Sequence, residues 1–243
     1  YKMDNGIYIN MPSLMARRGR GGVLSRVQGP DPAKQAQDKI ETIKKFFSEA
    51  KAYYQEKTHT ANNLKFEAVR GLFDGQQKLF VRAQEVKQML LAVDLAKTFG
   101  FQLVLVGASE SFQIADFLAA NKVQVILDNE HSLPATEDDD VDQPYKTPAA
   151  LQKAGVVFAL NDNHDQSRFR NLAFNAGTAA TYGLDKEQAL TAITLNTAKV
   201  LGIESVTGSL EIGKDANCKW RCLRHERQCI YQSIYSRSRC VFG

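Results

Sequence analysis

The chain has 243 residues, is 44% hydrophobic and 24% charged, and carries a formal net charge of +4. This is ordinary for a soluble globular protein of one large or two small domains, and no apolar run approaches the ~18 residues that a membrane span needs. Tyr1 rather than Met opens the chain and no signal peptide follows, so a leader or a larger N-terminal portion is expected upstream.

Residues 1–32 read as an irregular N-terminal segment, because Met11 to Pro32 is rich in Gly, Arg and Pro. The run Arg17-Arg18-Gly19-Arg20-Gly21-Gly22 has the composition of an RNA-contacting segment. A single copy without interleaved aromatics favours an ordinary loop. From Ala33 to Tyr54 the periodicity predicts a long helix with Ile40, Ile43, Phe46, Phe47, Ala50 and Tyr54 on one core-facing stripe. A second helix is expected over 62–71.

Four short apolar strands follow, at 78–82, 102–106, 123–127 and 156–160. Amphipathic stretches at 83–99, 109–120 and 148–154 separate them. That alternation implies a parallel sheet, hence an α/β fold. The loop from Asp128 to Thr147 holds Glu137, Asp138, Asp139, Asp140 and Asp142. It lacks the glycine and terminal glutamate of an EF-hand, so a solvated acidic loop is favoured over a calcium site.

The most specific stretch runs from Asn171 to Asn217. Asp185 to Gln188 opens a helix with an acidic first turn, Leu190, Ile193, Thr194 and Ala198 recur at helical spacing, and Gly202 stops the next helix. Gly208 and Gly213 bracket an expected short strand, Ser209 to Ile212. The fixed positions Gly183-Leu184, Ala192-Ile193-Thr194, Asn196, Ala198-Lys199, Leu201-Gly202-Ile203, Gly208-Ser209-Leu210 and Gly213-Lys214-Asp215-Ala216 resemble the end of the barrel in metal-dependent amidohydrolases, especially the imidazolonepropionase-like members.

That resemblance implies a TIM (β/α)8 barrel of which this chain is the C-terminal half, with the four strands as barrel strands five to eight. It also implies a division into a partial barrel over 33–203, a return strand toward a β-sandwich over 204–217, and a separate tail over 218–243. Family members hold one or two divalent metals, zinc among them, at the C-terminal mouth of the barrel. The ligands are an H-x-H after strand one, histidines after strands five and six, and an aspartate after strand eight. The metal activates a water and the aspartate serves as general base for attack on a C–N bond.

Here the positions depart from the pattern. Where the family reads V-F-V-H-A, this chain reads Leu79-Phe80-Val81-Arg82-Ala83, and a guanidinium has no lone pair to give a metal. The strand-six histidine falls at Gly107, and the chain contains no H-x-H. Asp162 matches the strand-eight aspartate, as metal ligand and catalytic base; a helix N-cap is the equally weighted bland role. His164, His131 and Tyr145 are further candidates to face substrate, together with Arg82, which is expected beside Asp162 as a replacement positive charge or as the anchor for an anionic substrate group. The expectation is therefore an amidohydrolase relative without a complete metal site. The alternatives are a rearranged hydrolytic site in a longer protein, and a non-catalytic binding or scaffold module. Expected partners are a small molecule and another copy of the chain, with neither nucleic acid nor membrane.

The tail reads as a different protein. It holds all four cysteines, the single tryptophan, and Lys219, Arg221, Arg224, Arg227, Arg237 and Arg239 against one acid, Glu226. Read one base out of register with a permitted choice of codons, it yields a family-like ending, TVNGDVLDMRDNVFINQFIAGRDVSL. A shifted reading frame accounts for cysteines, charge and broken pattern together. The rival is a zinc-knuckle-like site at Cys218, Cys222, His225 and Cys229.

Overall fold

The computed structural model describes residues 4–13, 32–56, 62–128, 131–134, 139–162 and 171–215. His164, the Gly/Arg run and the whole tail lie outside the described residues. Five strands, β1 (Gly6–Asn10), β2 (Lys78–Ala83), β3 (Leu103–Gly107), β4 (Gln124–Asp128) and β5 (Phe158–Asn161), form one sheet in chain order, every neighbouring pair parallel. The sheet therefore has five strands rather than four, and the segment read as irregular contributes the fifth. Gly6-Ile7-Tyr8-Ile9-Asn10 has two aliphatic residues and ends just before the Gly/Arg-rich segment, so alternation alone did not lift it out of a loop. It is an edge strand, with Tyr8 half exposed.

Helices fill the connections: α1 (Pro32–Gln55), α2 (Leu64–Ala68), α3 (Arg70–Phe73), α4 (Val86–Phe99), α5 (Ala115–Ala120), α6 (Gln143–Ala154), α7 (Leu172–Thr181), α8 (Lys186–Ile193) and α9 (Leu195–Leu201). The stretch expected as one helix over 109–120 divides into a 3-10 turn, Ser111–Ile114, and the short α5. Residues 209–212 form turns, not a strand. Among the described residues Leu210 and Ile212 are left exposed, while Lys214 reaches Ser209 and Glu211.

Strand alternation divides the sheet into two unlike faces. Leu79, Val81 and Ala83 of β2 and Val125 and Leu127 of β4 are buried in the main core with Met89, Ala92 and Val93 of α4. The other face carries Phe80, Val104, Ile126 and Ala159, which Val200 of α9 covers. This second layer is shallow. Its polar members lie at both ends of the strands, Lys78 and Gln124 at the N-terminal ends and Arg82, Asp128 and Asn161 at the C-terminal ends.

The floor below that layer is tied by hydrogen bonds. Lys78 Nζ donates to Gln124 Oε1 at 2.8 Å and to the carbonyls of Lys199 and Val200 at 2.7 and 3.0 Å. Asn5 Nδ2 donates to the Leu201 carbonyl at 2.6 Å, and Asn196 Nδ2 to the Phe158 carbonyl at 3.0 Å. Together with Gly202, which takes the left-handed conformation at φ 66°, the Lys78 and Asn5 donors satisfy the last carbonyls of α9.

Candidate functional site at the strand ends

The loops leaving β2 and β3 are laced together. Gln88 of α4 accepts the backbone N–H groups of Gln84 and Glu85 at 2.8 and 3.1 Å, and its own amide donates to the Met11 carbonyl at 3.2 Å, joining the exits of β1 and β2. Ala108 N–H donates to the Ala83 carbonyl at 2.8 Å, while Ser109 Oγ and Glu110 N–H reach the Gln84 carbonyl, each at 3.2 Å. These bonds set the strand ends as a rigid rim.

On the shallow face, Arg82, Asp128 and Asn161 converge from β2, β4 and β5. An Arg82 terminal guanidinium nitrogen (Nη2) lies 3.5 Å from Asp128 Oδ2, and Asn161 Nδ2 donates to Asp128 Oδ1 at 2.8 Å. The Asp128 side chain is only 3% exposed, whereas Arg82 is 39% exposed. Register explains the meeting: Arg82 lies level with Val106 and Ile126, and Asp128 is the next position on that same face, level with Asn161. The sequence assigned Asp128 to the acidic loop and paired Arg82 with Asp162. The ion pair that forms is with Asp128. Asp162 follows β5 directly and is buried at 7% exposure.

The Gly107 position is closed in a different way. Its φ is +94°, and a Cβ there would come 2.3 Å from Gln84 Nε2. Gln84 thus fills the space into which a side chain from the end of β3 would emerge. His131 meets the edge of Tyr145 at 5.5 Å, and its Nε2 lies 3.4 Å from Thr178 Oγ1; Tyr145 in turn stacks on Tyr182 at 4.9 Å. These contacts tie His131 to α6, α7 and the turn that follows α7. Gln84, Asp128 and Asn161 are the site residues that sequence reasoning missed. Their only signal was position: each stands at or just beyond the last residue of a strand.

The sequence pattern of the amidohydrolase family matches residues 25–218. The chain belongs to the amidohydrolase family. Imidazolonepropionase of Shewanella putrefaciens is 50% identical over 50 residues, which are 20% of this chain and 12% of that protein. The crystal structure of an amidohydrolase from Thermotoga maritima superposes with a TM-score of 0.67 at 24% identity, over 88% of this chain and 56% of that one. An uncharacterized metal-dependent hydrolase from Pyrococcus horikoshii gives a TM-score of 0.47 at 17% identity, over 62% of this chain and 34% of its own. The chain thus spans little more than half the length of its solved Thermotoga relative, and its open parallel sheet is part of a TIM barrel of amidohydrolase type.

Membership suggests metal use, and the donors at the rim can be tested against it. Arg82 offers no lone pair and is engaged with Asp128, and Gly107 offers no side chain. Among the described residues no three His, Cys, Asp or Glu side chains cluster closely enough to hold a metal ion. The described residues do not fit the family's histidine-rich centre.

Proposed function

We propose that this chain is an amidohydrolase half-barrel in which an internal ion pair has replaced the strand-end histidines. On this reading it does not by itself hydrolyse cyclic or other non-peptide C–N bonds with a metal-activated water. One observation carries the reading: Arg82 stands at the histidine's place and directs its charge to buried Asp128. A fixed guanidinium supplies positive charge without ligand exchange, so it can hold a carboxylate in place but cannot activate a water as a metal does. Asp162 alone keeps the residue type of the family's strand-end ligands, and one carboxylate does not make a metal centre.

The test is metal content. The full chain is loaded with zinc, dialysed and analysed beside Asp162→Ala. The expected result is far less than one zinc per chain in both. One tightly held zinc per chain, lost in Asp162→Ala, would overturn the reading.

A second reading, a non-catalytic binding module, is favoured by a cavity that opens beside the ion pair.

A further inference from the structure

We propose that a cleft at the N-terminal ends of the strands binds a small organic phosphate, with its phosphoryl group against Lys97 and Lys122. The cleft measures about 410 Å³, within the range for ligand pockets, roughly 300–1,000 Å³. The end of α4, the start of β3 and the turn from α5 into β4 line it, with Lys78 at the start of β2. The Arg82–Asp128 pair stands at the opposite ends of the strands, so this ligand and the metal question are separable.

Charge sets the ligand class. Lys78, Lys97 and Lys122 line the cleft, and no aspartate or glutamate is among the described residues that do. Lys78 is engaged with Gln124 and the carbonyls of α9. Among the described residues neither Lys97 nor Lys122 forms an ion pair. The Lys97 ammonium lies 5.4 Å from the centre of the Phe117 ring, which holds the charge in place without cancelling it. Asp94, one turn earlier on α4, is paired with Lys44 at 3.3 Å. The ends of α4 and α5 face the same cleft, and each brings about half a negative charge. Against them stand two ammonium groups, so the balance stays positive by about one charge.

Lys122 carries a second, independent sign. Its φ is +53°, in the left-handed region, where α4, α6 and α9 instead end on glycine, at Gly100, Gly155 and Gly202. A lysine held there carries backbone strain that glycine avoids, and such strain clusters at functional sites. Lysine presents a compact charge with three rotatable donors, which suits a tetrahedral dianion. Among the described residues lining the cleft there is no arginine to make the flat two-point contact of a carboxylate. Buried Val93, Phe101, Leu103 and Val123 form the apolar wall that an organic body would touch.

Calorimetric titration of the full chain at neutral pH and low salt, with chelator present, tests this with three ring-matched probes: phenyl phosphate, benzenesulfonate and phenol. A phosphate monoester then carries nearly two negative charges. Phenyl phosphate should bind about threefold or more tighter than the singly charged sulfonate, and phenol should not bind. Lys97→Gln and Lys122→Gly should each weaken phenyl phosphate about threefold, because exposed charge pairs are individually weak, and the double variant about tenfold. Added salt should erase the preference. Lys122→Gly also relieves the left-handed backbone, so its urea midpoint should hold or rise while affinity falls. Circular dichroism checks that Lys97→Gln folds, and Lys122→Gly alone keeps the test valid if it does not. Sulfonate or phenol binding as tightly as phenyl phosphate, or unchanged phenyl phosphate affinity in the folded variants, would overturn the proposal. A fall in the urea midpoint of Lys122→Gly with affinity unchanged would assign Lys122 to the end of α5 and overturn it as well.

Discussion

A carboxylate withdrawn from water needs compensation, and among the described residues Asp128 has a hydrogen-bond donor in the Asn161 amide and an ion-pair partner in the Arg82 guanidinium. The two charges differ sharply in exposure, so their loss should have unequal cost. In Arg82→Ala the buried carboxylate keeps only the amide, and the expected destabilisation is about 1–3 kcal/mol. In Asp128→Asn the half-exposed guanidinium turns to solvent, and the cost should be about 1 kcal/mol or less. Urea midpoints of the two variants measure the difference. Equal losses would mean that the pair contributes no more than its Coulomb attraction. Arg82 as an anomaly was legible from the strand pattern, because the motif around it fixed which position had changed. Its partner was not, since a contact 46 residues away depends on the register of three strands.

At the scale of elements, the strands β2 to β5 were legible because each holds a contiguous apolar run, and most helices because their apolar residues recur at helical spacing. The departures come from short elements. β1 has two aliphatic residues, Ile7 and Ile9, separated by Tyr8, and the 3-10 turn before α5 looks helical in composition. The start of α6 shows how local charge tunes an element. Lys146 Nζ donates to Asp140, which holds the Asp140 carboxyl below its ordinary value, aided by the Asp142 backbone N–H; the same contact raises Lys146. A depressed carboxyl contributes stability above its unfolded value and loses it as pH falls through the folded one. A raised lysine contributes below its unfolded value and loses it as pH rises through the folded one. The contact is thus complete across neutral pH and fails at either extreme. Both groups are exposed, so the effect should stay local to the first turn of α6. Amide exchange there, corrected for intrinsic rate, should accelerate below the carboxylate range, and Lys146→Met should abolish that pH dependence. A wild-type rate indifferent to pH would show that the contact does not order the turn.

For the molecule as a whole, among the described residues no strand pairs with the outer edge of β1 or β5, and open edges of this kind invite pairing with another copy. Sedimentation velocity should therefore show self-association that rises with concentration; a strict monomer over the accessible range would exclude it. Truncation after Asn217 should leave the thermal midpoint within about 2 °C, corresponding to roughly 1 kcal/mol or less for a chain of this size. A drop of several degrees would show that the tail packs on the domain.

The bonds from Asn5 and Lys78 to α9 also constrain how the protein is made. Asn5 binds the carbonyl of a residue 196 positions later, so this bond cannot form until Leu201 has been synthesised. Parallel sheets already fold slowly because every contact spans a crossover, and here the covering of the shallow face cannot begin until Leu201 emerges. Until α9 emerges, Phe80, Val104 and Ile126 lack the cover of Val200. A nascent chain arrested before Leu195 should accordingly remain protease-sensitive and bound to chaperones, and release of the last two turns should be the event that protects it.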